Sequence, residues 1–217
     1  MASTQQDARG VPVSFCKAES LANFETALLQ FQSYFGDPTV TLEKTLEHDP
    51  EFVLGHVFYA SVLLMMSERQ YIPMIRKHIE AAESLAAKAN DREKRLTLAA
   101  RQWMEGHWDL ASLTWDNVLA DFPRDAMTLQ LGHLTDFFRG DCFNLRDRIG
   151  RAMSRWDKSV PGYSYILGMQ AFGFEECNQY DKSEATANAA LDIEPRDGWR
   201  CGYSNLRSND RIRTATL

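Results

Sequence analysis

The chain has 217 residues, with 24 Lys and Arg against 30 Asp and Glu for a net charge of −6, and 44% of its residues are hydrophobic. That composition supports one sizeable core or a short array of repeats, and it excludes disordered, collagen-like and disulfide-framework chains. The acidic balance leaves no basic surplus to neutralise phosphates, so nucleic acid is not expected as a partner.

In chain order, the opening MASTQQDARG has neither a continuous apolar stretch nor a basic leader, which argues against a secretory signal and for a cytoplasmic protein. Residues 1–18 are expected to be weakly ordered. The longest apolar runs, such as Val62–Met66, fall far short of the roughly 20 residues needed to cross a bilayer, so no membrane association is expected. Cys16, Cys142, Cys177 and Cys201 stand far apart without a CxxC pair; in a reducing compartment they read as small apolar side chains.

Strand signals are nearly absent, since Val and Ile are scattered and do not alternate. Helical spacing dominates. Between Arg92 and Glu105 the apolar set Leu96, Leu98, Ala99, Ala100, Trp103 and Met104 winds into one broad stripe. In the charged run before it, Asn90–Arg95, Asp91 is expected to cap the helix and the basic side chains to stay hydrated. A second stripe, Leu110, Ala111, Leu113, Trp115, Val118, Leu119 and Phe122, closes at Pro123, because proline lacks the amide proton and disfavours helix in the residue before it. Only Gly106-His107 separates the two, which is too short for anything except an antiparallel helix hairpin.

The same punctuation recurs. Helix-ending prolines stand at Pro50, Pro123 and Pro195, separated by 73 and 72 residues. Each interval is two units of about 34 residues plus a short insertion, the period of tetratricopeptide arrays. Gly106–Asp125 resembles the second half of such a repeat, with Trp108 at the turn, small Ala111, bulky Trp115 and the terminating Pro123. Asn178–Asp197 has the same layout through Tyr180, Ser183, Ala187, Ala190 and Pro195, and Ala99 and Ala171 hold the small position in the matching first helices.

More narrowly, DPEFVLGH at residues 49–56, Arg95–Trp115, Ser164–Phe174 and Ala190–Trp199 resemble the tetratricopeptide repeat protein 38 family, across most of residues 20–199. The resemblance implies an all-α, right-handed superhelix, a solenoid of antiparallel helix hairpins over residues 19–198, with roughly ten helices in five units. Members of that family are longer and carry further helical repeats, so this chain would be an N-terminal portion. After Trp199 the sequence reads RCGYSNLRSNDRIRTATL, with Arg200, Arg207, Arg211 and Arg213 and no apolar stripe. Residues 199–217 are therefore expected to be a disordered tail foreign to the family. A truncated or misread gene product without independent function would account for it, and a purposeful basic tail is the alternative. With no following hairpin to cover them, Leu191 and Ile193 are expected to be partly exposed.

Chemistry-bearing motifs are scarce. The five histidines, His48, His56, His78, His107 and His133, include no HExxH and no i, i+4 pair, so a metal reading has no support and no cofactor is expected. Three of them, His56, His107 and His133, follow a glycine, and their convergence around a cleft would favour a small-molecule site or an enzyme. No GxGxxG, GxxxxGKS or GxSxG string occurs, and the expectation is a protein without catalysis. Aromatic rings are the more informative feature. If the first helix of each unit lines the concave side, as the resemblance implies, then Phe52, Tyr59, Trp103, Phe137, Phe138, Tyr165 and Phe172 lie on or near it. Trp103, Phe137, Phe138, Tyr165 and Phe172 are the candidate partner-binding residues, for a protein or peptide segment, while core packing is the default reading for each ring taken singly.

Overall fold

Residues 4–14 and 16–194 are described by a computed structural model. The expected tail at 199–217, with Trp199 and Pro195, lies outside the described residues. Ten α-helices are present among the described residues: α1 Ala18–Ser33, α2 Pro38–His48, α3 Val53–Met65, α4 Ile72–Ser84, α5 Asp91–Met104, α6 Trp108–Asp121, α7 Ala126–Arg139, α8 Cys142–Ala152, α9 Tyr163–Glu176 and α10 Tyr180–Leu191. They pack as neighbours, α1 with α2, α3 with α4, α5 with α6, α7 with α8 and α9 with α10, and each pair rests on the next. The all-helical expectation holds at this level.

Local chemistry sets the boundaries. Asp37 starts α2 by accepting the Thr39 amide at 2.9 Å, with Pro38 in the first turn. Asp125 and Asp141 start α7 and α8 in the same way. For α5 the cap is Asn90 and not Asp91 as expected: its side chain accepts the Glu93 amide at 2.8 Å while Glu93 reaches back to the Asn90 amide at 3.3 Å. This reciprocal box satisfies two amides that the helix itself leaves free. Gly106 occupies the left-handed region at φ 87° between α5 and α6, where a side chain would be strained.

One difference from expectation is structural. Where weak order is expected, Thr4–Gln6 (β1) and Pro12–Ser14 (β2) form an antiparallel hairpin. Its turn is built by Asp7, whose carboxylate accepts the Arg9 and Val11 amides at 2.8 and 2.9 Å, and by Gly10 at φ 78°. The strands persist because α5 holds them: the Ser14 amide donates to Glu93 Oε1 at 2.9 Å, and Pro12 O accepts from Arg92 Nη1 at 3.1 Å. An isolated hairpin this short is not stable in water.

A further feature of the fold concerns the inner side of the array. From Val53 to Leu64, α3 is buried on every face, as its almost wholly apolar sequence requires. It packs against α2, α4, α5 and α7, and Gln130 on α7 donates to Phe31 O of α1 at 2.9 Å across 99 residues. Of the rings read as lying on or near a concave side, Phe52 and Tyr59 are therefore core residues, the default reading for each.

Towards the other end, α8 and α9 approach closely at Gly173, where a Cβ would stand 2.7 Å from the Arg146 Cα. Gly173→Ala must push two backbones apart and should cost about 1–3 kcal/mol. The check is a thermal melt, with Tm falling by about 2–4 °C per kcal/mol for a chain of this size; an unchanged Tm would show that the contact is not that tight. Leu191 is half-buried and Ile193 exposed.

Candidate functional site

The C-terminal turns of α5, α7 and α9, the first helices of the last three pairs, carry a continuous row of rings. Trp103 packs on Trp108 with centroids 5.5 Å apart and meets the edge of Phe138 at 6.3 Å. Phe138 neighbours Phe137 at 5.9 Å, Phe137 neighbours Phe172 at 5.5 Å, and Phe172 neighbours His133 at 5.8 Å. Tilted and edge-on pairs at such distances add to the hydrophobic term.

Exposure divides the row. Trp103 is 4% exposed and forms its floor, whereas Phe137 and Phe138 are 45% and 41% exposed and form its crest. Trp108 and Phe172 are half-buried. Tyr165 lies two turns before Phe172 on α9 and is 6% exposed, so it belongs to the interior, in line with the core-packing reading of that ring. Trp103 likewise supports the surface from beneath. Trp108, noted in the sequence only as a turn aromatic, extends the row by one ring because the Gly106 turn folds α6 back beside Trp103.

The row is bordered by negative potential. Helix C-termini carry negative partial charge, and three end here. Glu105 caps α5, while Glu175 and Glu176 close α9 one turn after Phe172. Partial burial, with Glu176 adjacent, pushes the Glu175 carboxyl above its usual range. On α7, Arg139 is matched by Asp136 and Asp141, and Glu105 in turn lies 3.9 Å from Arg101.

The three Gly-His pairs do not converge. His56 Nε2 donates to Pro50 O at 2.9 Å, which leaves its Nδ1 to accept from His78 Nδ1, also 2.9 Å away. In the neutral pair this fixes both tautomers. His133 Nδ1 donates to Leu145 O at 3.2 Å, and His107 is exposed at the start of α6. Each glycine answers to its own neighbourhood: a Cβ at Gly55 would stand 2.6 Å from the Phe52 ring, and one at Gly132 would stand 2.9 Å from the Arg148 guanidinium. Among the described residues no group of three or more His, Cys, Asp or Glu could hold a metal ion, and no helix is long and apolar enough to cross a membrane. The His56–His78 contact was not visible in the sequence because it joins two helices across 22 residues.

No protein-family model and no solved structure matches the chain.

Proposed function

We propose that the protein is an interaction module of the tetratricopeptide type, similar to the tetratricopeptide repeat protein 38 family, with its five helix pairs arranged as repeat units. It binds a partner protein through the ring row at the ends of α5, α7 and α9. The reading rests on one observation: Phe137 and Phe138 stand nearly half exposed side by side, Phe138 over the buried Trp103 and Phe137 beside the half-buried Phe172. Adjacent exposed aromatics over a packed floor have the anatomy of an interface hot spot. The surrounding Glu105, Glu175 and Glu176 suit a partner segment that is apolar on one side and carries Lys or Arg on the other. Because α3 fills the inner side, the partner is engaged at this edge and not along a full-length groove.

The test uses a short amphipathic helical peptide with a Leu face and a Lys face, titrated by fluorescence polarisation, beside a counterpart with Glu for Lys. Binding of the Lys peptide should weaken by about tenfold or more in Phe137→Ala with Phe138→Ala, since truncating hot-spot rings costs about 2 kcal/mol or more. The Glu peptide should bind more weakly than the Lys peptide. Unchanged affinity, or a matching loss of helical circular dichroism, would show the rings to be core and sink the proposal.

A further inference from the structure

On a different part of the molecule, a cavity of about 730 Å³ opens between the hairpin turn and the C-terminal ends of α6 and α8. Ligand pockets commonly fall in the range of about 300–1,000 Å³. Five arginines and two aspartates line it, and two of those arginines take further carboxylates, Asp7, Glu25 and Asp136, from outside the lining.

Most of these arginines are already engaged. Arg9, brought in by the hairpin, is buried and held by Asp7 and Glu25 at 2.8 and 2.7 Å. Arg148 is fully buried between Asp136 and Asp116, and Asp116 also takes Arg151 at 2.7 Å. Arg124 and Arg155 differ, for among the described residues neither forms a close salt bridge, although Arg124 adds to the Ser159 hydrogen bonds in holding the Asp157 carboxyl below its usual range. Arg124 Nε is oriented by the Arg155 carbonyl at 2.7 Å. A basic group in the last turn of a helix complements its dipole, which accounts for Arg151 on α8; Arg124 and Arg155 stand beyond the last turns of α6 and α8. Apart from Ser154, the remaining wall, including Leu119, Phe122 and Ala152, is apolar.

We propose that this cavity binds a small organic phosphate, with the phosphoryl group held by Arg124 and Arg155 and the organic body resting against Leu119 and Phe122. Guanidinium forks match phosphate oxygens two at a time. A phosphate monoester carries about −1.5 to −2 charges at neutral pH, which suits two guanidinium groups that stand outside the close salt bridges of the cavity. The buried pairs of Arg9 and Arg148 fix the cavity walls before any ligand arrives, and the ordering cost of binding falls on the exposed Arg124 and Arg155.

The experiment is calorimetric titration of the full chain with phenyl phosphate, alongside benzoate, which offers the same ring on a carboxylate. Saturable one-to-one binding is expected for phenyl phosphate, with benzoate weaker. Arg124→Ala with Arg155→Ala should weaken binding by about tenfold or more, as losing charge-assisted hydrogen bonds implies. Arg69→Ala with Arg76→Ala, exposed residues outside the cavity, removes the same charge and should change nothing. A second route leaves the arginines intact: Ala120→Glu places a carboxylate at the exposed cavity rim and should abolish binding. The proposal is overturned by an absence of saturable binding, by equal weakening in the Arg69 and Arg76 variant, by retention of binding in the Arg124 and Arg155 variant or in Ala120→Glu, or by benzoate binding as tightly as phenyl phosphate.

Discussion

Between pH 6.5 and 4.5 the protein should lose on the order of 5 kcal/mol of stability from two histidines alone. Burial lowers the His78 imidazole from 6.5 to about 4, with His56 and Lys77 acting in the same direction. Burial lowers His133 to about 3 against the opposing bond to Leu145 O, and Arg148 adds to the depression. His56 shifts downward for the same first reason. In each case the folded protein holds the neutral ring, while the unfolded chain takes up a proton as pH falls through 6.5. The unfolded state then binds more protons, so stability is intact above 6.5 and drains away below it, down to about 4 for His78 and about 3 for His133. Each pH unit in that window costs about 1.4 kcal/mol per histidine. For a domain whose whole stability is about 5–15 kcal/mol this is enough to bring on acid unfolding. The measurement is the urea midpoint as a function of pH. His78→Asn with His133→Asn keeps a donor near each Nδ1 position and should flatten the slope between pH 6.5 and 4.5; an equally steep variant would put the acid sensitivity elsewhere.

The helix ends were legible because their causes are local. Gly106 turns the chain whatever surrounds it, and Pro123 stops a helix for reasons of covalent geometry. The ring row was partly legible: Trp103, Phe137, Phe138 and Phe172 recur near the same turn of successive first helices, so a period of about 34 residues places them together. Aromatic identity alone could not separate Tyr165, which is buried, from Phe137 and Phe138, which are exposed. Chain-distant contacts were invisible. The hairpin has only three-residue strands, and its order comes from Glu93 and Arg92, about eighty residues away. Nor could periodicity show that α3 would be enclosed by α1, α5 and α7, since an array with open or filled inner faces carries the same spacing.

Arg148→Met should cost about 3–5 kcal/mol, because it strands a carboxylate in the interior. Arg148 and Asp136 are both fully buried, joined through Nε at 2.8 Å and Nη2 at 3.1 Å, and Arg148 Nη2 also donates to the Ser112 hydroxyl at 2.8 Å. The guanidinium lies flat against Gly132, the position in α7 where a Cβ would meet it at 2.9 Å, so this pair ties α6, α7 and α8 into one block. Methionine fills much of the arginine stem's space, which separates the loss of charge from the loss of volume. Removing the cation alone leaves Asp136 with hydrogen bonds from Ser112 and Asn144 and with Arg139 Nη1 at 3.7 Å as its nearest other cation. Adding Asp136→Asn to Arg148→Met discharges the site while keeping an acceptor for Ser112, and it should return part of the lost stability. Chemical denaturation of the unsubstituted protein and the two variants decides the matter: a single-variant loss under about 1 kcal/mol, or no recovery in the double variant, would mean that water or a neighbouring cation already compensates Asp136.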